Sequence, residues 1–262
     1  MFLIYKLNPI IQAFIATLFT YSITALGAAL VYFFKKINKN VLDSMLGISA
    51  GVMIAASFWS LLSPGIDMAN NLGMNTMLVI TLGFIFGGLL LFIGDVIMNK
   101  LQKRKGVKKN KRVMMLIISI TLHNIPEGLA IGTAFGSTIF GLDGASLISA
   151  WTLALGIGIQ NFPEGTAVSV PLRREGFSRN KAFFYGQLSG IVEPISGVLG
   201  AILVLKIRLM LPFLLAFAAG AMIYVVVEEL IPESQTNKNK NIMAMFTLIG
   251  FSIMMLLDVL LG

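Results

Sequence analysis

A six-residue pattern occurs twice in this chain. His123-Asn124-Ile125-Pro126-Glu127-Gly128 returns 37 positions later as Gln160-Asn161-Phe162-Pro163-Glu164-Gly165. On an α-helix, residues four apart share a face and residues three apart share the adjacent one. Glu127 therefore sits between the His123 imidazole and the Asn124 carboxamide, and Glu164 between the Gln160 and Asn161 carboxamides. Imidazole, carboxylate and amide donors together suit a divalent transition metal: Zn2+, and also Fe2+, Mn2+ or Cd2+. Two glutamates placed to bridge, with Glu193 as a third, leave room for two ions. Such a set, with amides and no thiolate, holds metal less tightly than a structural zinc site, which suits a protein that must let go. Pro126 and Pro163 withhold the amide hydrogens that the carbonyls of Leu122 and Ile159 would otherwise accept. Each proline also kinks its helix and opens space beside the donors. Glu193-Pro194 repeats that pairing, and Gly128 and Gly165 admit a neighbouring helix closely. Of fifteen methionines, Met53 is the candidate thioether ligand; the others read as flexible apolar filler.

What must position these residues follows from composition. Of 262 residues, 56% are apolar and 12% charged, and the mean hydropathy is +0.86. Ordinary soluble domains carry about 25% charged residues, so a soluble enzyme and a disordered chain are both excluded. No cysteine is present, which removes disulfides and thiol chemistry. His123 is the single histidine, so the His-Glu-x-x-His helix of a metalloprotease cannot be assembled. The expectation is a protein that is not an enzyme and needs no catalytic cofactor.

Eight apolar runs are long enough to span a bilayer as helices: 9–34, 41–63, 74–98, 113–139, 145–171, 181–205, 209–232 and 241–261. Between them, alternate connections hold 17 of the 20 basic residues. The excess of Lys and Arg on one side places both termini outside and the basic loop 99–112 in the cytoplasm. The net charge of +8 is then a topology and lipid-headgroup signal, not a nucleic-acid surface. Asp95, Glu127, Glu164, Glu193, Glu228, Glu229 and Glu233 lie within or at the ends of these runs. A carboxylate at the centre of a span costs about 2.5–3.5 kcal/mol, and the nearby spans offer no Lys or Arg. A metal cation would supply the counter-charge. Asp95, Glu228 and Glu229 lie nearer helix ends and read equally as pathway residues or as side chains reaching the interface.

A weaker repeat accompanies the strong one. Ala50-Gly51-Val52-Met53-Ile54 resembles Ala219-Gly220-Ala221-Met222-Ile223, and Gly83-Phe84 resembles Gly250-Phe251. The matched spans run in opposite directions. A three-helix unit repeated in inverted topology about a two-helix centre accounts for this, as in many secondary transporters.

Together the two motifs resemble the signature of the ZIP family of divalent metal transporters, and the Gln160-Asn161 form resembles its GufA-like bacterial branch. The stretches 51–62, 189–194 and 219–233 fit that branch as well. The resemblance implies an all-α polytopic membrane protein, one transmembrane domain over 1–262, with eight helices in a 3+2+3 inverted-repeat arrangement. It implies one metal held by His123, Glu127, Gln160 and Glu164, with Met53 in reach. Asn124, Asn161 and Glu193 would complete a second and share the two bridging glutamates. It implies uptake across the plasma membrane toward the cytoplasm, and a homodimer. A channel or an exporter using the same site is the alternative. Two features depart from the family: loop 99–112 lacks the histidines many members carry there, and Gln160 stands where many have histidine. Fewer imidazoles imply broader metal selectivity.

Overall fold

The computed structural model describes residues 7–33, 38–102, 109–140, 145–174 and 176–261. Within the helices, the side chains of 98–99, 101–102, 109–120, 122–123, 171, 174 and 261 are not among those described. The middle of the basic loop, 103–108, and the side chain of His123 therefore lie outside the described part of the molecule. The described residues are helical apart from short turns and connections, with no strand among them.

They form eight helical segments: α1 Pro9–Phe33, α2 Lys39–Asn71, α3 Thr76–Gln102, α4 Lys109–Ser137, α5 Leu147–Arg174, α6 Arg179–Lys206, α7 Arg208–Ser234 and α8 Lys240–Leu261. Among the described residues, six stretches, in α1, α2, α3, α6, α7 and α8, are long and apolar enough to cross a membrane. α4 and α5 carry the repeated polar motif. In α3 and α8 only 17% of the apolar window is buried. Leu78, Ile85, Leu89 and Phe92 of α3 and Leu248 and Leu256 of α8 are exposed. Apolar side chains facing outward belong in lipid, where the backbone's polar groups are already satisfied within each helix.

The helices pair in a regular scheme. α1 packs along α5 and α4 along α6; α2 packs along α8 and α3 along α7; α1 also meets α6. Small residues make these approaches. A Cβ on Gly51 would overlap the Thr247 carbonyl, and one on Gly220 would overlap the Phe84 carbonyl.

Two helices run differently from the sequence expectation. α2 continues to Asn71, past the expected end at 63, although Ser63-Pro64 would stop an ordinary helix. The reason is a π-helical stretch over Ser57–Leu62, in which the Ser63 amide donates to the Phe58 carbonyl. The wider turn absorbs the missing hydrogen bond of Pro64. α7 repeats the device: Val226–Leu230 is π-helical, Ile231 donates to Val226, and Pro232 follows.

Candidate metal centre

The site is built where α1, α4, α5 and α6 meet. On α4, Asn124 and Glu127 are each 1% exposed; on α5, Gln160 and Asn161 are fully buried; on α6, Glu193 is fully buried. Glu164 is 9% exposed. The glycines of the two motifs set the spacing. A Cβ on Gly128 would strike Ser196 and the Glu193 backbone of α6, and one on Gly165 would overlap the Thr24 carbonyl of α1. Only glycine permits backbones this close, so the motif fixes its own position against α6 and α1.

The polar side chains engage one another. Gln160 Nε2 donates to Glu127 Oε1 at 2.6 Å. Asn161 Nδ2 donates to both carboxylate oxygens of Glu193 at 2.9 Å. Asn124 Nδ2 donates to Glu193 Oε1 at 3.3 Å. Glu193 is thus gripped from α4 and α5 at once. α1 adds a third grip, with the Thr20 hydroxyl donating to Oε2 and the Thr24 hydroxyl lying 3.5 Å from Oε1. Ser49 of α2 donates to the Gln160 carbonyl.

What stays unsatisfied is all of one kind. Asn124 Oδ1, Glu127 Oε2, Gln160 Oε1, Asn161 Oδ1 and Glu164 Oε1 are buried without a hydrogen-bond partner among the described residues. All five are acceptor oxygens, and a buried acceptor left alone costs about 1–3 kcal/mol. Among the described residues, no Lys or Arg acts on Glu127, Glu164 or Glu193. Nor do any three of the described His, Asp and Glu come together closely enough to hold an ion by themselves. Carboxylates instead alternate with carboxamides, and the ligand capacity is shared between the two.

The remaining expected residues fall in two places. Met53 is buried on α2 within the main apolar cluster. Glu229, in the π turn of α7, lines a cavity of about 60 Å3 together with Asn124, Glu164, Leu46, Ala167, Val225 and Leu230. Asp95 of α3 is hydrogen-bonded to Tyr224 of α7, which lies among Asp95, Glu228 and Glu229. Glu228 is exposed. The cavity thus joins Glu164 to Glu229, and the acidic group continues around Tyr224. Thr20, Thr24, Ser49 and Tyr224 were not expected from the sequence. For the threonines a signal was present: Thr17, Thr20 and Thr24 form a polar stripe on one face of an apolar helix.

Comparison with known proteins shows what the chain is similar to. The family profile "ZIP Zinc transporter" matches residues 102–258, which covers α4 to α8. Zinc transporter ZIP11 of Homo sapiens is 37% identical, over 97% of this chain and 98% of its own length. Zinc transporter ZIPB of Bordetella bronchiseptica is 36% identical, over 92% of this chain and 79% of its own. Zinc transporter GufA of Myxococcus xanthus is 31% identical, over 95% and 98%. With the family profile across its C-terminal half and these relatives along nearly its whole length, the chain belongs to the ZIP zinc transporter family.

Proposed function

We propose that this protein carries divalent transition-metal cations, Zn2+ foremost, across the plasma membrane into the cytoplasm. Fe2+, Mn2+ and Cd2+ are the other cargoes the donor set suits. The observation that carries the reading is the cluster of five buried acceptor oxygens on the two motifs that have no hydrogen-bond partner among the described residues. Nothing but a donor or a cation satisfies such atoms, and no described Lys or Arg reaches the site.

In the proposed site, His123, Glu127, Gln160 and Glu164 hold one ion, with Met53 as a further ligand. Asn124, Asn161 and Glu193 complete the second and share the two glutamates. The carboxamides suit an ion that comes and goes. Without cargo, their NH2 groups neutralise part of the charge on Glu127 and Glu193; their oxygens are the ligands. Asp95, Glu228 and Glu229 form the path toward the cytoplasm, which the cavity between Glu164 and Glu229 supports.

The proposed architecture is a single transmembrane domain over 1–262 of eight spans in the 3+2+3 inverted-repeat arrangement. Both termini lie outside, and the basic loop 99–112 is cytoplasmic. The pairing scheme supports it. Exchanging the first three helices for the last three, and α4 for α5, maps the α1–α5 pair onto α6–α4 and the α2–α8 pair onto α7–α3. The π turns of α2 and α7 begin 169 positions apart, at Ser57 and Val226, the offset that relates Gly51 to Gly220. The protein works in lipid and is proposed as a homodimer. As a member of a transporter family it is not an enzyme.

Radiozinc flux in proteoliposomes tests this reading. Uptake down a zinc gradient, slowed by competing Cd2+, Fe2+ and Mn2+, is the expected result. Saturation with cargo, and exchange of internal for external zinc, separate a carrier from a channel. Net movement only outward against the assigned orientation would make it an exporter and overturn the direction.

A further inference from the structure

Helix α1 contributes nothing to the repeated motif, and the polar side chains it brings to the site are threonines. Thr17, Thr20 and Thr24 are fully buried, but their hydroxyls do different things. That of Thr17 turns back on its own helix, donating to the Ala13 carbonyl at 2.7 Å. That of Thr24 is 3.3 Å from the Thr20 carbonyl and 3.5 Å from Glu193 Oε1, both long contacts. That of Thr20 lies 2.5 Å from Glu193 Oε2 and 3.0 Å from the Thr17 carbonyl. A hydroxyl has one proton, and the nearer, charged acceptor takes it. The Thr20 carbonyl also accepts from Asn161 Nδ2 at 3.3 Å. One residue of α1 therefore touches both the carboxylate and the carboxamide that the second ion would use.

We propose that Thr20 is a positioning residue of the metal centre. Its hydroxyl fixes the Oε2 side of Glu193, so that Oε1 stays toward Asn124 and Asn161, and its carbonyl holds the Asn161 amide in register with them. Thr20 touches no cargo itself; it limits how far Glu193 and Asn161 turn when cargo arrives. This rests on the reading of Glu193 as a ligand.

The test is radiozinc uptake kinetics in proteoliposomes of Thr20→Val, Thr20→Ser, Thr17→Val and Glu193→Gln. Thr20→Val keeps shape and removes the hydroxyl; Thr20→Ser keeps the hydroxyl; Thr17→Val alters the same helix face without touching Glu193. If Thr20→Val is poorly expressed, Thr20→Ala makes the same comparison. A hydrogen bond to a charged group is worth enough to move KM for zinc about tenfold. Thr20→Val is expected to show that rise with kcat within about twofold, Thr20→Ser to return within about twofold of the parent, and Thr17→Val to match it. An unchanged or lowered KM in Thr20→Val overturns the proposal, as does Thr20→Ser impaired as much as Thr20→Val, which would make the role one of packing. Full uptake by Glu193→Gln instead contradicts the reading of Glu193 as a ligand. Loss in Glu193→Gln beside normal Thr20→Val contradicts the role of Thr20 alone.

Discussion

At the scale of single residues, the centre uses carboxamides for two purposes. Gln160 and the two asparagines donate to carboxylates through nitrogen, and their oxygens have no partner among the described residues. That arrangement explains how Glu127 and Glu193 stay buried with no Lys or Arg beside them among the described residues. It also bears on selectivity, because an amide oxygen discriminates among divalent ions less than an imidazole does. Gln160→His is therefore expected to strengthen zinc binding relative to Mn2+, since imidazole suits zinc whereas oxygen donors suit Mn2+. Inhibition of radiozinc uptake by Mn2+ checks this: the Mn2+ needed for half inhibition should rise in the variant. That Asn124, Glu127, Gln160 and Asn161 lie buried together was legible in the sequence, because His123–Gly128 and Gln160–Gly165 place polar groups on one helix face by spacing alone. The role of the threonines was not. A threonine stripe in an apolar helix reads equally as packing, and only the position of α6 against α1 brings Thr20 to Glu193.

At the scale of elements, glycine and proline decide where the donors stand. Gly165 lets α5 meet α1 backbone to backbone at Thr24, and Gly128 does the same for α4 at Glu193. Gly165→Val is expected to destabilise the protein by about 3 kcal/mol, since the backbone it would strike cannot move without shifting α1. Thermal unfolding of the detergent-solubilised protein checks it; an unchanged midpoint would show that α1 and α5 have slack. The helix boundaries were legible to within a few residues except in α2. There the apolar run ended at 63, and the π turn that carries the helix through to Asn71 has no signature in hydropathy. In α7 the expected end at 232 fell short by two residues, at the same kind of proline. π turns often accompany functional sites, and the one in α7 bears Glu228 and Glu229.

At the scale of the whole molecule, charge and hydropathy divide the labour. The basic residues gather in alternate connections, outside the apolar spans, whereas the buried carboxylates sit together with no basic partner among the described residues. The lipid-facing character was readable from composition, but the pairing of α1 with α5 and of α4 with α6 was not. Periodicity locates helices and leaves their neighbours open. The orientation can be checked directly because the chain has no cysteine. Leu209→Cys, in the exposed first turn of α7, is expected to react with a membrane-impermeant maleimide on intact cells. Lys238→Cys, between α7 and α8, is expected to react only after permeabilisation. The reverse pattern would invert the topology and with it the direction of transport.

The central claim is that the paired motifs carry metal across the membrane. Even partners that merely orient a metal's ligands cost about 10–100-fold in affinity when mutated, so losing a bridging carboxylate should cost about a hundredfold or more. Radiozinc uptake by proteoliposomes holding monodisperse Glu127→Gln or Glu164→Gln protein tests this most directly. The account predicts that both variants fold and that neither transports. Undiminished uptake in both would contradict it.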